Sequence, residues 1–220
     1  MHNITLIVTG HKESGICNSD ELLKIIERIA PDIIFEEVPP HKFEGVYKGT
    51  VTDSLETMTI KRYLDEHPIN HFPVDKNINQ SIVKDFIIDM KKMHNSFGYH
   101  SDEYKYLSAQ HSYLTEQDGF PYLNSDQCIE ILERRIFLEK EIVLYIDHEE
   151  LSLKYKDWSE HNDSREYEMI ENIYKYSSLH KYDSALFLVG AEHRKPIMDK
   201  VSTYKKKDNP ELNWIFSYFK

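Results

Sequence analysis

Cysteine is scarce in this chain of 220 residues: Cys17 and Cys128 are the only two. They are too few for a disulfide framework, and neither has a second Cys at metal-ligand spacing. A disulfide-stapled scaffold is excluded, and a reducing compartment is expected. Positive charge is also in short supply, with 27 Lys plus Arg against 38 Asp plus Glu and a formal charge of -11. A polyanionic partner would need basic residues clustered on one face. The only run, Lys205-Lys206-Lys207, lies in a polar stretch before Pro210 and reads as a solvated turn, so nucleic-acid binding is not expected. No segment reaches the roughly 18 apolar residues of a membrane span. The first residues run straight into a strand-like segment, without the basic stretch, apolar stretch and small-residue cleavage site of a signal peptide. The expectation is one cytoplasmic, non-membrane domain over residues 1–220, of undetermined oligomeric state. Neither a solenoid-length repeat nor a low-complexity tract is present.

What the chain does have is apolar runs that end in small residues. Ile4-Thr5-Leu6-Ile7-Val8 stops at Thr9-Gly10-His11, as a strand buried on both faces would. A helix capped by Asn18 or Ser19 follows, with Leu22, Leu23, Ile25, Ile26 and Ile29 on its apolar side and Pro31 after its end. Ile33-Ile34-Phe35 is a second strand, broken by Glu36-Glu37 and Pro39-Pro40, and the strand–helix–strand unit predicts a right-handed crossover and a parallel pair. Residues 41–52 read as loop and 53–66 as helix. His71-Phe72-Pro73-Val74, ending at Asp75, is a weaker strand that Pro73 assigns to an edge or a strand end. Residues from about 79 to 162 have almost entirely helical periodicity, carried by Ile82, Phe86, Ile87 and Met90 and later by Ile129, Leu132, Ile136, Leu138 and Val143. A helix over 164–178 and the strand Ala185-Leu186-Phe187-Leu188-Val189 follow. That strand ends in Gly190-Ala191-Glu192-His193, and Pro196 sits in the first turn of a last helix. The predicted fold is α/β: a mostly parallel sheet flanked by helices, with a large helical insertion.

In open α/β sheets ligands bind beyond the carboxyl ends of the strands. Those ends carry His11, Glu36, Glu37, Asp75, Glu192 and His193, the residue types that activate water as acid and base or hold a divalent metal with an open position. Glu36 and Glu37 are adjacent, so an extended chain points them to opposite sides and one of them faces the site. Asp75 also suits the turn before Asn77. Asp163-x-x-Glu166 has the pattern of a helix start, which makes Glu166 a capping partner without a chemical role. Arg165 would then stand in a first turn, against the positive end of the helix dipole, and so is expected to answer a carboxylate or an anionic substrate. His94, His100 and His111 lie at no zinc-motif spacing. Of 15 tyrosines, Tyr99, Tyr104, Tyr106, Tyr113 and Tyr122 fall together, as helix-packing residues or as the lining of a pocket that selects a ring or apolar body.

The segments "VTGH", "PDIIFEE", "SREYEM" and "LFLVGAEH" together resemble the TraB/Tiki superfamily, which includes ChaN-like haem-binding proteins and erythromycin esterases. Its two glycine–histidine turns, strand-end glutamate and Arg-x-x-x-Met helix start correspond here to Gly10-His11, Gly190 with His193, Glu37, and Arg165 with Met169. The chain has Glu-Glu where one glutamate is usual; counting from Pro31-Asp32 favours Glu37 over Glu36. Glu192 stands where a second glycine is common. The resemblance implies hydrolysis of an ester, lactone or amide of a small-molecule or peptide substrate. His11, Glu37 and His193 would activate water directly or through Mn²⁺, Zn²⁺ or Co²⁺, with Arg165 stabilising an oxyanion or holding Glu37. Glu36, Asp75 and Glu192 are the candidate substrate contacts. The alternative is a non-catalytic protein holding a metal, a haem-like group or a small molecule in the same cleft.

Overall fold

A computed structural model describes residues 1–77, 80–204 and 210–219. The run Lys205-Lys206-Lys207 lies outside the described residues, as do the side chains of Ile82, Phe86, Ile87 and Met90. Five strands form one all-parallel sheet: β1 (His2–Thr9), β2 (Ile33–Glu36), β3 (Asn70–Pro73), β4 (Ser184–Gly190) and β5 (Leu212–Ile215), in the order β3-β2-β4-β1-β5. The helices are α1 (Ser19–Ile29), α2 (Pro40–Tyr47), α3 (Leu55–Glu66), α4 (Gln80–His100), α5 (Asp102–Leu123), α6 (Asp126–Ile146), α7 (Glu149–Leu179) and α8 (Arg194–Thr203). The α/β architecture and the helical insertion are as expected, and no described helix is long and apolar enough to cross a membrane.

The sequence reading placed β1 and β2 as a parallel pair, but β4 lies between them. The late strand enters the centre because it is apolar on both faces: Ala185 to Val189 are all at most 1% exposed. Its register sets Thr9 beside Gly190, so the two glycine–histidine turns leave the sheet side by side. Pro73 ends the edge strand β3, where its missing N–H costs no ladder bond. Asn18 caps α1 by accepting from the Asp20 and Glu21 amides, and Ser54 with Thr57 forms a reciprocal cap on α3.

Two apolar clusters hold the fold. The larger joins the strands to α1, α3, the second half of α7 and the junction of α5 and α6. The smaller lies within the insertion, around Met93, Phe97, Tyr104, Leu138, Ile142 and Tyr155. Asn124, between α5 and α6, ties the insertion to the sheet. Its side-chain oxygen accepts from the Val8 amide at 3.0 Å, and its amide nitrogen donates to the Val8 carbonyl at 3.1 Å. Both groups are buried, so the pair substitutes for strand bonds that Val8 would otherwise lack.

Candidate functional site

His11 follows β1 in the left-handed region, at φ 58°, a strained position for a residue with a Cβ. The Leu55 amide holds its carbonyl at 3.0 Å. The ring is braced from α3: Nδ1 donates to Glu56 Oε1 at 3.0 Å, and the Thr9 hydroxyl donates to the same oxygen. Glu56 is buried in the first turn of α3, where the helix dipole favours a carboxylate. With Nδ1 fixed, Nε2 faces Glu37 Oε2 at 3.6 Å, and half of the His11 side chain remains open to solvent.

His193 sits in the short turn between β4 and α8 and is 6% exposed. It repeats the arrangement from the other side. Nδ1 donates to Glu166 Oε1 at 2.8 Å, Lys200 Nζ donates to Glu166 Oε2 at 2.6 Å, and Nε2 faces Glu37 Oε1 at 3.4 Å. Two imidazoles, each held by a carboxylate at Nδ1, thus present Nε2 to one shared carboxylate. The close approach of His11 depends on Gly190, where an added Cβ would collide with Nε2.

Glu37 itself is fixed at both oxygens. The Gly190 amide donates to Oε2 at 2.6 Å, and Arg165 Nη2 donates to Oε1 at 2.5 Å. Arg165 also grips Asp75 with a two-point fork, Nε to Oδ1 and Nη2 to Oδ2, each at 3.0 Å. Its remaining nitrogen, Nη1, has only long contacts, 3.4 Å to Asn162 Oδ1 and 3.4 Å to His193 Nε2.

These charges move the titrations. Burial pulls the His193 pKa down, but the Glu37 charge and the bonds to Glu166 and Glu37 outweigh it, and the net is a rise to about 9. Burial also opposes the charged form of His11, and the bond to Glu56 with the charges of Glu37 and Glu56 raises it to about 9. Glu37 is held well below the usual carboxylate range: burial would raise it, but His193, His11 and Arg165 together prevail. Water reaches half-open His11 and not buried His193.

Of the residues singled out in the sequence, His11, Glu37, Arg165, His193 and Asp75 come together. Glu36 does not: its carboxylate accepts from Tyr47 at 2.6 Å and pairs with His71 Nδ1 at 2.7 Å on the other side of the strand. Glu192 is exposed and lines a cleft beyond His193. Arg165 reaches its carboxylates for a reason other than the one expected, since α7 begins at Glu149 and places Arg165 in mid-helix, away from any first turn. Glu166 is likewise no capping residue. It belongs to the buried stripe Glu166, Met169, Ile170, Ile173, and a carboxylate at an apolar position of that stripe is the signal that marks it. Glu56 and Lys200 were missed; as a first-turn acid and a last-turn base they look like ordinary dipole partners.

Two imidazoles and a carboxylate are donors that suit Zn²⁺, Mn²⁺ or Co²⁺. Here, however, the Arg165 guanidinium stands against Glu37 and His193, and the Gly190 amide takes the other oxygen of Glu37. Among the described residues, no group of three or more His, Cys, Asp and Glu is placed to hold a metal ion. As folded, the residues do not fit a divalent ion. Set against protein-family models, curated proteins and solved structures, the chain matches none.

Proposed function

We propose that the chain is a hydrolase of an ester, lactone or amide bond. The observation that carries this reading is the convergence of His11 and His193 on Glu37, each ring braced through Nδ1. His11 Nε2 is the base, because it is the open one. It takes a proton from a water, whose oxygen bonds to the substrate carbonyl carbon. The carbonyl oxygen becomes an oxyanion beside Arg165 Nη1 and the His193 imidazolium, the two donors not consumed by close contacts. As the carbon–oxygen or carbon–nitrogen bond breaks, His11 returns its proton to the leaving group. Glu56 orients His11 and stabilises its charged form, as the carboxylate of a triad does. Similarity of the strand-end residues to the TraB/Tiki superfamily supports the same reading. Two free, buried cysteines suit a reducing, cytoplasmic setting.

A rival reading, a non-catalytic protein holding a metal, a haem-like group or a small molecule in this cleft, draws on the same bracing, because carboxylates also orient the imidazoles that ligate metals. Elemental analysis of the purified chain, with a panel of esters, lactones and amides assayed with EDTA or with added Mn²⁺, Zn²⁺ or Co²⁺, separates the two. The hydrolase reading expects EDTA-resistant turnover that falls about 100-fold or more in His11→Gln. Stoichiometric metal without turnover, or turnover indifferent to His11→Gln, contradicts it.

A further inference from the structure

Beyond His193 lies a cavity of about 190 Å³, between α6, α7 and the start of α8, distinct from the one that His11 and Glu37 line. Its walls are Leu132, Ile136, Tyr155, Trp158 and Pro196, and His193 with Glu166 closes its inner end. Arg135 also lines it, and this residue is anomalous. Its guanidinium donates to the Tyr104 hydroxyl at 3.3 Å and stacks on the Tyr104 ring, while its buried Nε has no partner. Among the described residues no carboxylate forms an ion pair with it. The nearby acids on the cavity wall are engaged elsewhere: Glu139 accepts from the Tyr104 and Tyr155 hydroxyls, Glu166 is shared by His193 and Lys200, and Asp163 pairs with Lys200 at 2.8 Å. Glu192 and Glu139 act on it through space without bonding to it, and its arginine fork suits an anionic oxygen pair.

We infer that this cavity is a ligand site of its own, which takes a compact apolar or aromatic group that ends in a carboxylate bound by Arg135. Exposed Glu192 stands at the rim and opposes a doubly charged group, which favours a carboxylate over a phosphate. The apolar walls remove the body of the ligand from water, and Arg135 selects its anionic end.

The inference does not rest on the hydrolase reading, and binding is measurable without turnover. The chain has two tryptophans, so Trp214→Phe leaves Trp158 in the cavity wall as the sole reporter. Fluorescence titrations of that protein with 3-phenylpropionate, 3-phenylpropanol and 2-phenylethyl phosphate should give saturable quenching, with the carboxylate bound at least tenfold tighter than the alcohol and tighter than the phosphate. The preference should vanish in Arg135→Gln and persist, weakened, in Arg135→Lys, which keeps the charge should the glutamine variant fold poorly. Adding His11→Gln should leave binding intact, so loss of turnover and loss of the pocket are separate results. Equal affinity for acid and alcohol in the parent protein, or an acid preference unchanged in both Arg135 variants, overturns the inference; tighter phosphate binding overturns its carboxylate assignment.

Discussion

At the scale of residues, the site is built by close approach. Gly190 has φ −62° and ψ 147°, a conformation open to any residue, so its value lies in the missing side chain. A methyl there would meet the His11 ring while leaving the backbone content. Gly190→Ala is therefore expected to reduce kcat/KM about tenfold or more, because the imidazole must move by roughly an ångström. Its melting temperature should change by only a few degrees, as for a mutation worth about 1 kcal/mol. Kinetics and thermal melting on the same sample check this; a large loss of stability with undiminished turnover would place Gly190 in the scaffold and not in the site. The residues that brace the histidines show what a sequence hides. His11 and His193 follow apolar runs and are visible as strand-end groups, but Glu56 and Glu166 gain their roles only from tertiary contact. Each has a local helical explanation that is complete without the site.

At the scale of elements, strands were more legible than helices. The apolar runs of β1, β2 and β4 announce themselves, and Pro73 assigns β3 to an edge or a strand end; it is both, the last residue of an edge strand. Strand β5, four residues long, carries too little pattern to separate it from a loop. Residues 41–52 read as loop, whereas Pro40 opens α2 at the first helical position, where its lost N–H would be unpaired anyway. The first half of α7 was left out of the late helix because it exposes most of its polar side chains and lacks a continuous apolar stripe. That omission led to the mistaken first-turn argument for Arg165. The insertion also needs a fastening that no periodicity shows, and Asn124 supplies it. Asn124→Ala removes both hydrogen bonds to Val8 and strands its buried amide and carbonyl, so a loss of about 2–3 kcal/mol is expected. Urea denaturation at constant m-value measures it; a change below about 0.5 kcal/mol would show that β1 holds its end without this clamp.

At the scale of the whole molecule, the order of strands could not be read locally. That β4 enters between β1 and β2 depends on pairing across more than 150 residues, and it is this pairing that assembles the site. The same assembly makes stability depend on pH in a defined sense. His193 is raised in the folded chain from 6.5 to about 9, so its contribution is full below pH 6.5 and is lost as pH rises through 9. Glu37 is lowered, so its contribution is present above about pH 4.5 and is lost as pH falls. Stability from these two groups is therefore greatest between those limits. Between pH 6.5 and 9 the His193 share amounts to at most about 3 kcal/mol. Melting temperatures across that range should fall for the parent protein and fall less for His193→Gln; identical slopes would remove His193 as the cause.

The account stands or falls on His11 as the base held by Glu56, and the pH dependence of kcat/KM tests it most directly. With 4-nitrophenyl butyrate as probe, the parent protein should gain activity as pH rises toward about 9, where His11 loses its proton. In Glu56→Gln the bond and charge of Glu56 are gone while the charge of Glu37 stays, so the same limb should move down from about 9 while the maximal rate falls. A limb that stays at the same pH in Glu56→Gln, or a rate that falls as pH rises from 6.5 to 9 in the parent protein, would contradict it.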